Sequence, residues 1–523
     1  MANQILIIGA GLSGLAASFA ALAHNAEVTL IDRTGIGFGS NSYMSGGGFC
    51  GISPDYPVDK YIKDTLKIGR GINHKPSVKF LANNAISAFE WLETKGFTLK
   101  GSKGIYGLKV TDPSKIRGSV LMKGLVDKVK RYEKLNIITG FQVTDLIVKD
   151  NECLGIRGLD RNGKTLLIQS PAVILSTGGA GAIYKRTDNQ KSALGQGYFL
   201  AAKAGLDLWD MEFVQYYALV LAEPGLPSFC LYPPYPKNTK LINHNNEDLL
   251  IKYGINDLSD AMKKKRDEMS AIIFEETKKG DVYIDYTNIP SIGWKEYPIP
   301  IFDKIKFNFR QKPAKICPGS HFFMGGIRVD EKCQTNLAGL FACGEIVWGL
   351  HGANRRGGNS LTECIVRGLT AGKAAAEYAK YNSRFKINLS KEFPSSAHDE
   401  QSKYNSLNKI ITQLKNIAWK NAGIIRSEDI IDKGLCQLEK FDKILHQANC
   451  RDKNELKLRE NLLSTAFTLK AVLTASRGRL ESRGSFYRED YPHTDEKKWR
   501  KNSCLSYDKS NNFLKLSYHT LDE

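Results

Sequence analysis

Gly9, Gly11 and Gly14 carry the first chemistry that the sequence offers. An apolar run, Gln4–Gly9, passes straight into them, and an Ala/Leu-rich helical pattern follows to about His24. A second apolar run, Glu27–Ile31, then ends in Asp32, 18 residues beyond Gly14. Strand, glycine turn, helix, strand and acid, in that order, predict a dinucleotide site. The first two glycines let the backbone N–H groups around Leu12 and Ser13 approach a pyrophosphate at the helix N-terminus. Asp32, followed by Arg33, is placed to accept from a ribose hydroxyl. The stretch Gly35–Gly48, containing Ser40 and Asn41 and ending in Ser45-Gly46-Gly47-Gly48, is too glycine-rich for a packed element and suits a loop lying against a flat cofactor. Thr177-Gly178-Gly179, after the buried-strand run Ala172–Ser176, reads as a second nucleotide-contacting turn. No second glycine fingerprint with a downstream acid follows, which argues against a separate nicotinamide domain.

The elements that must hold these residues define an α/β architecture: a Rossmann-like nucleotide-binding domain, an inserted α+β capping domain and a C-terminal helical domain. The first part of the nucleotide domain is expected over 1–222. From about Glu223 to Pro318 the texture changes to Pro-rich turns and charged helical segments, predicting a capping and substrate domain over 223–320. Glycine-rich sequence then resumes, so the nucleotide domain returns over 321–381. After the polar stretch Asn382–Gln401 a helical domain is expected over 400–490, with Leu462, Ala466, Leu469 and Leu473 at helical spacing. Residues 491–523 read as a C-terminal tail.

Composition narrows the classes further. The chain has 523 residues, enough for about three domains at roughly 150 residues each. Ten cysteines are scattered with no C-x-x-C, so neither iron–sulfur nor c-type haem ligation is expected. No metal site is expected either. The Ile5–Ala23 stretch is broken by glycines and lacks a charged leader, which excludes a signal peptide and a transmembrane span and predicts a cytoplasmic protein. The net charge of +19 leaves anionic ligands, acidic partners, nucleic acid or a membrane surface open, but it is spread out, with one tight run at Lys263–Arg266, and reads as a solvated basic surface rather than a nucleic-acid patch.

A series of motifs in this sequence resembles the flavoprotein of the succinate dehydrogenase, fumarate reductase and L-aspartate oxidase family. They are GAGLSG at 9–14, STGGAG at 176–181, TDNQKSALGQG at 187–197, DMEFVQ at 210–215 and KRDEMSAI at 265–272. HFFMGGIRVD at 321–330, GLFACGEIVWGLHGANRRGGNSLTE at 339–363 and RLESRGSFYREDYP at 479–492 complete the series, which runs in family order almost to the C-terminus. The resemblance implies FAD, held by the N-terminal glycines, Asp32, Asn189, Gly344, Glu345 and the turn carrying Asn359, Ser360 and Leu361. Ser360-x-x-Glu363 also reads as a capping box opening a helix whose positive end faces the flavin. Quinone-linked members bond their flavin to a histidine, whereas the matching position here reads Ser40-Asn41-Ser42, so non-covalent FAD is expected.

Three residues match the family's reaction centre. Arg266 resembles its proton-donating arginine, and His321 and Arg355 resemble the pair that grips a substrate carboxylate. The implied reaction passes a hydride from flavin N5 to one alkene carbon of an α,β-unsaturated carboxylate, fumarate or a bulkier enoate, while a proton reaches the other carbon, or runs in reverse. A guanidinium holds its proton above about pH 12, so Asp267 or Glu268 is expected to restore it. Arg356, adjacent to Arg355, is expected to point away. After Gln215 the dicarboxylate enzymes resemble a Phe-His-Pro pattern; this chain has Tyr216-Tyr217-Ala218, a tyrosine pair able to hydrogen-bond to or stack on a monocarboxylate with an aromatic or bulky β-substituent, with Tyr217 the candidate site residue. The family's Thr-Glu segment for a second carboxylate is replaced near Pro-rich Leu231–Pro236.

With no iron–sulfur ligands in the chain, electrons are expected from a partner, an iron–sulfur subunit or a ferredoxin-like protein. L-aspartate oxidase-type amine oxidation is the alternative, weakened because Ile105–Gly118 lacks the glutamate of that enzyme's Glu-x-x-Arg signature. A third reading is a basic flavoprotein subunit that binds a partner or nucleic acid.

Overall fold

A computed structural model describes residues 4–382 and 407–521. Most of the polar stretch that starts at Asn382, and the first residues of the expected 400–490 domain, lie outside them. Five apolar runs form one parallel sheet in the order Leu340–Ala342, Ala172–Leu175, Gln4–Ile8, Glu27–Asp32 and Leu135–Thr139. They lack polar alternation because the sheet is covered on both faces. Helix Leu12–Ala23 leaves the glycine turn, and the long helix Asn359–Tyr381 packs along it. The two backbones approach closely, since a Cβ at Gly372 would stand 2.2 Å from the Ala17 carbonyl oxygen.

A four-stranded antiparallel sheet, ordered Val214–Leu221, Ala314–Phe323, Val282–Asp285 and Lys240–Ile242, forms the inserted layer. Helix Arg266–Lys279 lies on it, and the Ser270 hydroxyl donates to the Tyr216 carbonyl at 3.0 Å. This sheet begins at Val214, ahead of the boundary expected at 223. The change of composition does not mark the change of layer, because all of Val214–Leu221 is buried and reads as core.

Helices Leu407–Asn421, Glu428–Gln447 and Lys453–Gly478 pack together, with Leu462, Ala466, Leu469 and Leu473 fully buried. The segment expected to be a tail differs most. Lys501–Asp508 and Phe513–Thr520 form a hairpin, and the first strand also pairs with Leu208–Trp209. Its polar groups are used inside: Asn502 Nδ2 donates to Asp210 Oδ2 and Ser503 Oγ to Glu212 Oε2, both at 2.6 Å. Arg479 completes this buried network, with Nε 2.6 Å from Glu212 Oε1 and Nη1 3.1 Å from Glu481 Oε1.

Among the described residues, no helix is long and apolar enough to cross a membrane.

Candidate active site

The C-terminal edge of the parallel sheet opens into a cleft lined by the glycine turn, by Ile31–Thr34, by Gly39–Ser42, by Ser176–Gly179 and by Glu345. Gly9 has φ +102°, and a Cβ there would lie 2.4 Å from the Ser176 carbonyl oxygen, so only glycine passes between the two strands. Gly11, Leu12, Ser13 and Arg33 line the cleft, and Gly14 packs behind the turn. Asp32 organises the turn as well as facing the cleft: Oδ2 accepts from Ala10 N at 2.9 Å and Oδ1 from Thr34 N at 2.7 Å. The Arg33 guanidinium reaches Asn461 Oδ1 at 2.8 Å and the Ser192 carbonyl, tying the cleft rim to the C-terminal helices.

Ser40 and Asn41 stand on the opposite wall, where Asn41 Nδ2 donates to Asn189 Oδ1 at 2.7 Å. Gly344, with φ +81°, brings the chain against Ser13. The Glu345 carboxyl is pushed up to about 7, chiefly by burial, and its Oε1 accepts from Phe323 N at 3.1 Å. Thr177 Oγ1 in the cleft and Asn359 Nδ2 at the start of the helix Asn359–Tyr381 are buried without a hydrogen-bond partner. Unpaired buried polar atoms around a glycine-floored cleft are what a polar, extended ligand would satisfy, and this donor set fits FAD.

The second group converges beside the turn at 355–360. His321 sits on the strand Ala314–Phe323; its Nδ1 lies 2.7 Å from Asp188 Oδ2 and its Nε2 is 2.8 Å from Arg355 Nη2. The His321 pKa is lowered, first by burial and then by Arg355 and Arg266, although Asp188 opposes the shift. The ring is therefore neutral, with Nδ1–H donating to Asp188 and Nε2 accepting from Arg355. Arg355 also donates to Ser360 Oγ at 3.2 Å, and burial together with the nearby Arg266 pushes its pKa down to about 9. Arg266, buried at the start of its helix, donates from Nη1 to Gln215 Oε1 at 3.0 Å. The Nε atoms of Arg266 and Arg355 are both buried and unpaired. Tyr217 closes this side, its ring 5.2 Å from the His321 ring and 5.1 Å from the Arg266 guanidinium.

Arg356 does turn away from Arg355, onto the rings of Tyr56 and Tyr61. Three local expectations are corrected. The helix starts at Asn359 after Gly358, with no side-chain cap, and Glu363 bonds His351 Nε2 and Arg367 Nε instead of closing a capping box with Ser360. Tyr216 and Tyr217 do not act as a pair, because adjacent strand residues face opposite sides. The Tyr216 hydroxyl donates to the Ala422 carbonyl at 2.8 Å in the core. Asp267 turns to Arg70, Oδ2 to Nη2 at 2.6 Å, and Glu268 lies near Arg70 and Lys265, so neither is bonded to Arg266. Sequence reasoning assigned no role to Asp188 or Gln215, although both lie inside motifs it singled out. Ser45, Gly46 and Gly47 do form a loop at the border of the inserted layer, where Tyr297 Oη donates to the Gly46 carbonyl at 3.1 Å. Leu361 packs into the nucleotide-domain core.

Fold and cleft together define a dinucleotide-binding flavoprotein. The family model described as "FAD binding domain" matches residues 4–361, and "Fumarate reductase flavoprotein C-term" matches 411–523. An uncharacterized FAD-dependent oxidoreductase of Methanocaldococcus jannaschii is 31% identical over 99% of this chain and 98% of its own. A fumarate reductase (CoM/CoB) subunit of Methanothermobacter marburgensis is 29% identical over 96% of this chain and 97% of its own. The FrdA chain of E. coli quinol fumarate reductase shares the fold, with a TM-score of 0.86 at 23% identity over 99% of this chain and 96% of that one. The chain belongs to the FAD-dependent fumarate reductase and succinate dehydrogenase flavoprotein family, and it is an oxidoreductase that uses FAD.

Proposed function

We propose that the protein reduces the C=C bond of an α,β-unsaturated carboxylate, or runs the reverse dehydrogenation. The observation that carries this reading is the convergence of two buried guanidiniums, Arg266 and Arg355, each with an unpaired Nε, beside a neutral histidine. Among the described residues neither arginine forms an ion pair, so the pair repels itself until an anion enters. Arg355 Nε binds the substrate carboxylate, with His321 fixing the guanidinium from the side. Arg266, oriented by Gln215, faces the alkene and delivers a proton to the carbon next to the one that takes the hydride. Tyr217 excludes water over the same face. Bound in the cleft, FAD supplies the two-electron transfer. Ser40-Asn41-Ser42 offers it no histidine, so we read its attachment as non-covalent; acid precipitation then leaves the flavin in the supernatant.

Electrons come from a redox partner, an iron–sulfur or ferredoxin-like protein.

The test is anaerobic. The flavin is reduced with dithionite, and its re-oxidation is followed on adding fumarate, alkyl and aryl enoates, and iminoaspartate in separate reactions. Re-oxidation by a C=C acceptor is the expected result. Re-oxidation by iminoaspartate alone replaces this reading with amine oxidation.

A further inference from the structure

Cys230 has no part in the proposed reaction, yet it stands beside two residues that do. Its sulfur, a carboxylate oxygen of Asp188 and a ring nitrogen of His321 all lie within 4.8 Å of one another, and each of the three residues is half-buried. They come from three distant segments of the chain, so no ligand spacing marks them in the sequence. The fold ties each segment to the same antiparallel sheet. His321 is on the strand Ala314–Phe323. Thr187, just before Asp188, bridges to Ser320, and its Oγ1 donates to the Ser320 carbonyl at 2.8 Å. Cys230 bridges to Val220, with Leu221 N donating to the Phe229 carbonyl at 2.8 Å on one side and Leu231 N to the Leu219 carbonyl at 2.9 Å on the other. The three donor atoms are therefore held by fixed backbone.

A thiolate, an imidazole and a carboxylate around one open position are the ligand set of a tetrahedral ion of the zinc class. At bond lengths of about 2.0–2.3 Å such an ion holds its ligand atoms about 3.3–3.6 Å apart. His321 Nδ1 and Asp188 Oδ2, 2.7 Å apart, have to separate by less than about 1 Å. Rotation of the Cys230 side chain closes the remaining gap. The other carboxylate oxygen, Asp188 Oδ1, accepts from Asn189 Nδ2 at 3.0 Å, as a ligating carboxylate does from its outer partner. Thiolate and carboxylate together cancel both charges of the ion, so Arg266 and Arg355 face a neutral centre. Mg2+ and Ca2+, which take oxygen ligands, find a sulfur here instead.

Binding has a consequence at the opposite side of the ring. With the ion on Nδ1, the His321 proton moves to Nε2, which stands 2.8 Å from Arg355 Nη2. Two donors then face each other, and the contact that orients Arg355 is lost.

We propose that Asp188, Cys230 and His321 bind one thiophilic divalent ion of the zinc class, and that this ion blocks enoate reduction by converting His321 Nε2 from an acceptor for Arg355 into a donor. The blockade rests on the reading of His321 and Arg355 as the carboxylate clamp; the binding of the ion does not.

The test uses the intact FAD-loaded protein and Zn2+. Equilibrium dialysis should find one Zn2+ per FAD that Cys230→Ser fails to retain, and X-ray absorption at the zinc edge should find one sulfur at about 2.3 Å. Zn2+ should slow enoate-driven re-oxidation of the reduced flavin at least tenfold, EDTA should restore it, and Mg2+ should leave it unchanged. In Cys230→Ser and Cys230→Ala, each compared with its own metal-free rate, half-inhibition should need about 100-fold more Zn2+, at or beyond the loss that an outer-shell partner brings. Where these variants lose their FAD, the parent protein decides: Zn2+ should protect Cys230 from iodoacetamide, read by mass spectrometry. Zinc bound without sulfur, a zinc–sulfur signal that persists in Cys230→Ser, or no protection of Cys230 overturns the site. Full turnover with the ion bound, or equal inhibition of parent and Cys230 variants, overturns the blockade. Failure of every enoate with the metal-free protein removes the enoate reading instead, and dialysis with X-ray absorption then decides the site alone.

Discussion

Arg355 Nη2 stands 2.8 Å from His321 Nε2, so the guanidinium donates to a ring nitrogen that has no proton of its own. Two cationic groups would not hold this contact in a buried site, and the lowered pKa of His321 agrees with it. The carboxylate clamp is therefore one positive charge, oriented by a neutral ring that Asp188 anchors.

That arrangement fixes a pH profile. The ordinary histidine pKa is 6.5 and the folded value lies below it, so the clamp stays intact from alkaline pH down through 6.5 and is lost only on further acidification. The logarithm of kcat/KM for the enoate should be flat between pH 8 and 6.5 with respect to this group. Asp188→Asn should lower kcat/KM more than tenfold, on the scale that orienting groups contribute. An acid limb in the parent protein that bends above pH 6.5 and vanishes in His321→Gln would contradict a neutral clamp.

Glu345 titrates in the opposite sense. Its folded pKa is raised from 4.5 to about 7, so its contribution to stability is fully present below pH 4.5 and is lost as pH rises through 7. Integrated over that window the loss is about 3 kcal/mol. Thermal unfolding of the flavin-free protein should therefore show a fall in Tm between pH 5 and 8 that Glu345→Gln removes. An unchanged pH slope in the variant would dissociate it from Glu345.

The Arg479 network makes a prediction about folding alone. Arg479 bonds the fully buried carboxylates Glu212 and Glu481; Glu481 keeps Arg483, so Arg479→Ala leaves the buried charge of Glu212 without its cation. The expected cost is about 3–5 kcal/mol, read as a shift of the denaturant midpoint. Double replacement, Arg479→Met with Glu212→Gln, should recover part of it, and an equally large loss in both would point to packing instead.

Asp267 separates a latch from a proton relay. Its carboxylate is held by Arg70 across the border between the inserted layer and the nucleotide domain, away from Arg266. Arg70→Ala and Asp267→Asn should therefore give similar losses of thermal stability, and Asp267→Asn should retain turnover within a few fold. A loss of turnover above 100-fold in Asp267→Asn alone, with FAD and Tm intact, would restore the relay.

How far the sequence could be read depends on the range of the forces involved. The glycine turn and the buried strands around it were legible because a tight turn and a two-sided sheet each demand a residue pattern within about 30 positions. Arg266, His321 and Arg355 were recognisable by resemblance, and the structure brings them together from three distant segments. The Ser360 and Glu363 spacing misled because the tertiary partners of Glu363, His351 and Arg367, outcompete a local cap. The hairpin at 501–520 was missed because its strands are rich in polar residues, and the buried ones, Asn502 and Ser503, have partners elsewhere in the fold, at Ile72, Asp210 and Glu212.

The most direct test of the central claim is single-turnover re-oxidation of dithionite-reduced Arg266→Gln by the best enoate, compared with the parent protein. The account predicts that the variant keeps its FAD and still binds the enoate, seen as a perturbed flavin spectrum, while the re-oxidation rate falls by 1,000-fold or more, about 4 kcal/mol of barrier. Re-oxidation at the parent rate would remove Arg266 from proton delivery and, with it, the assignment of this site to C=C reduction.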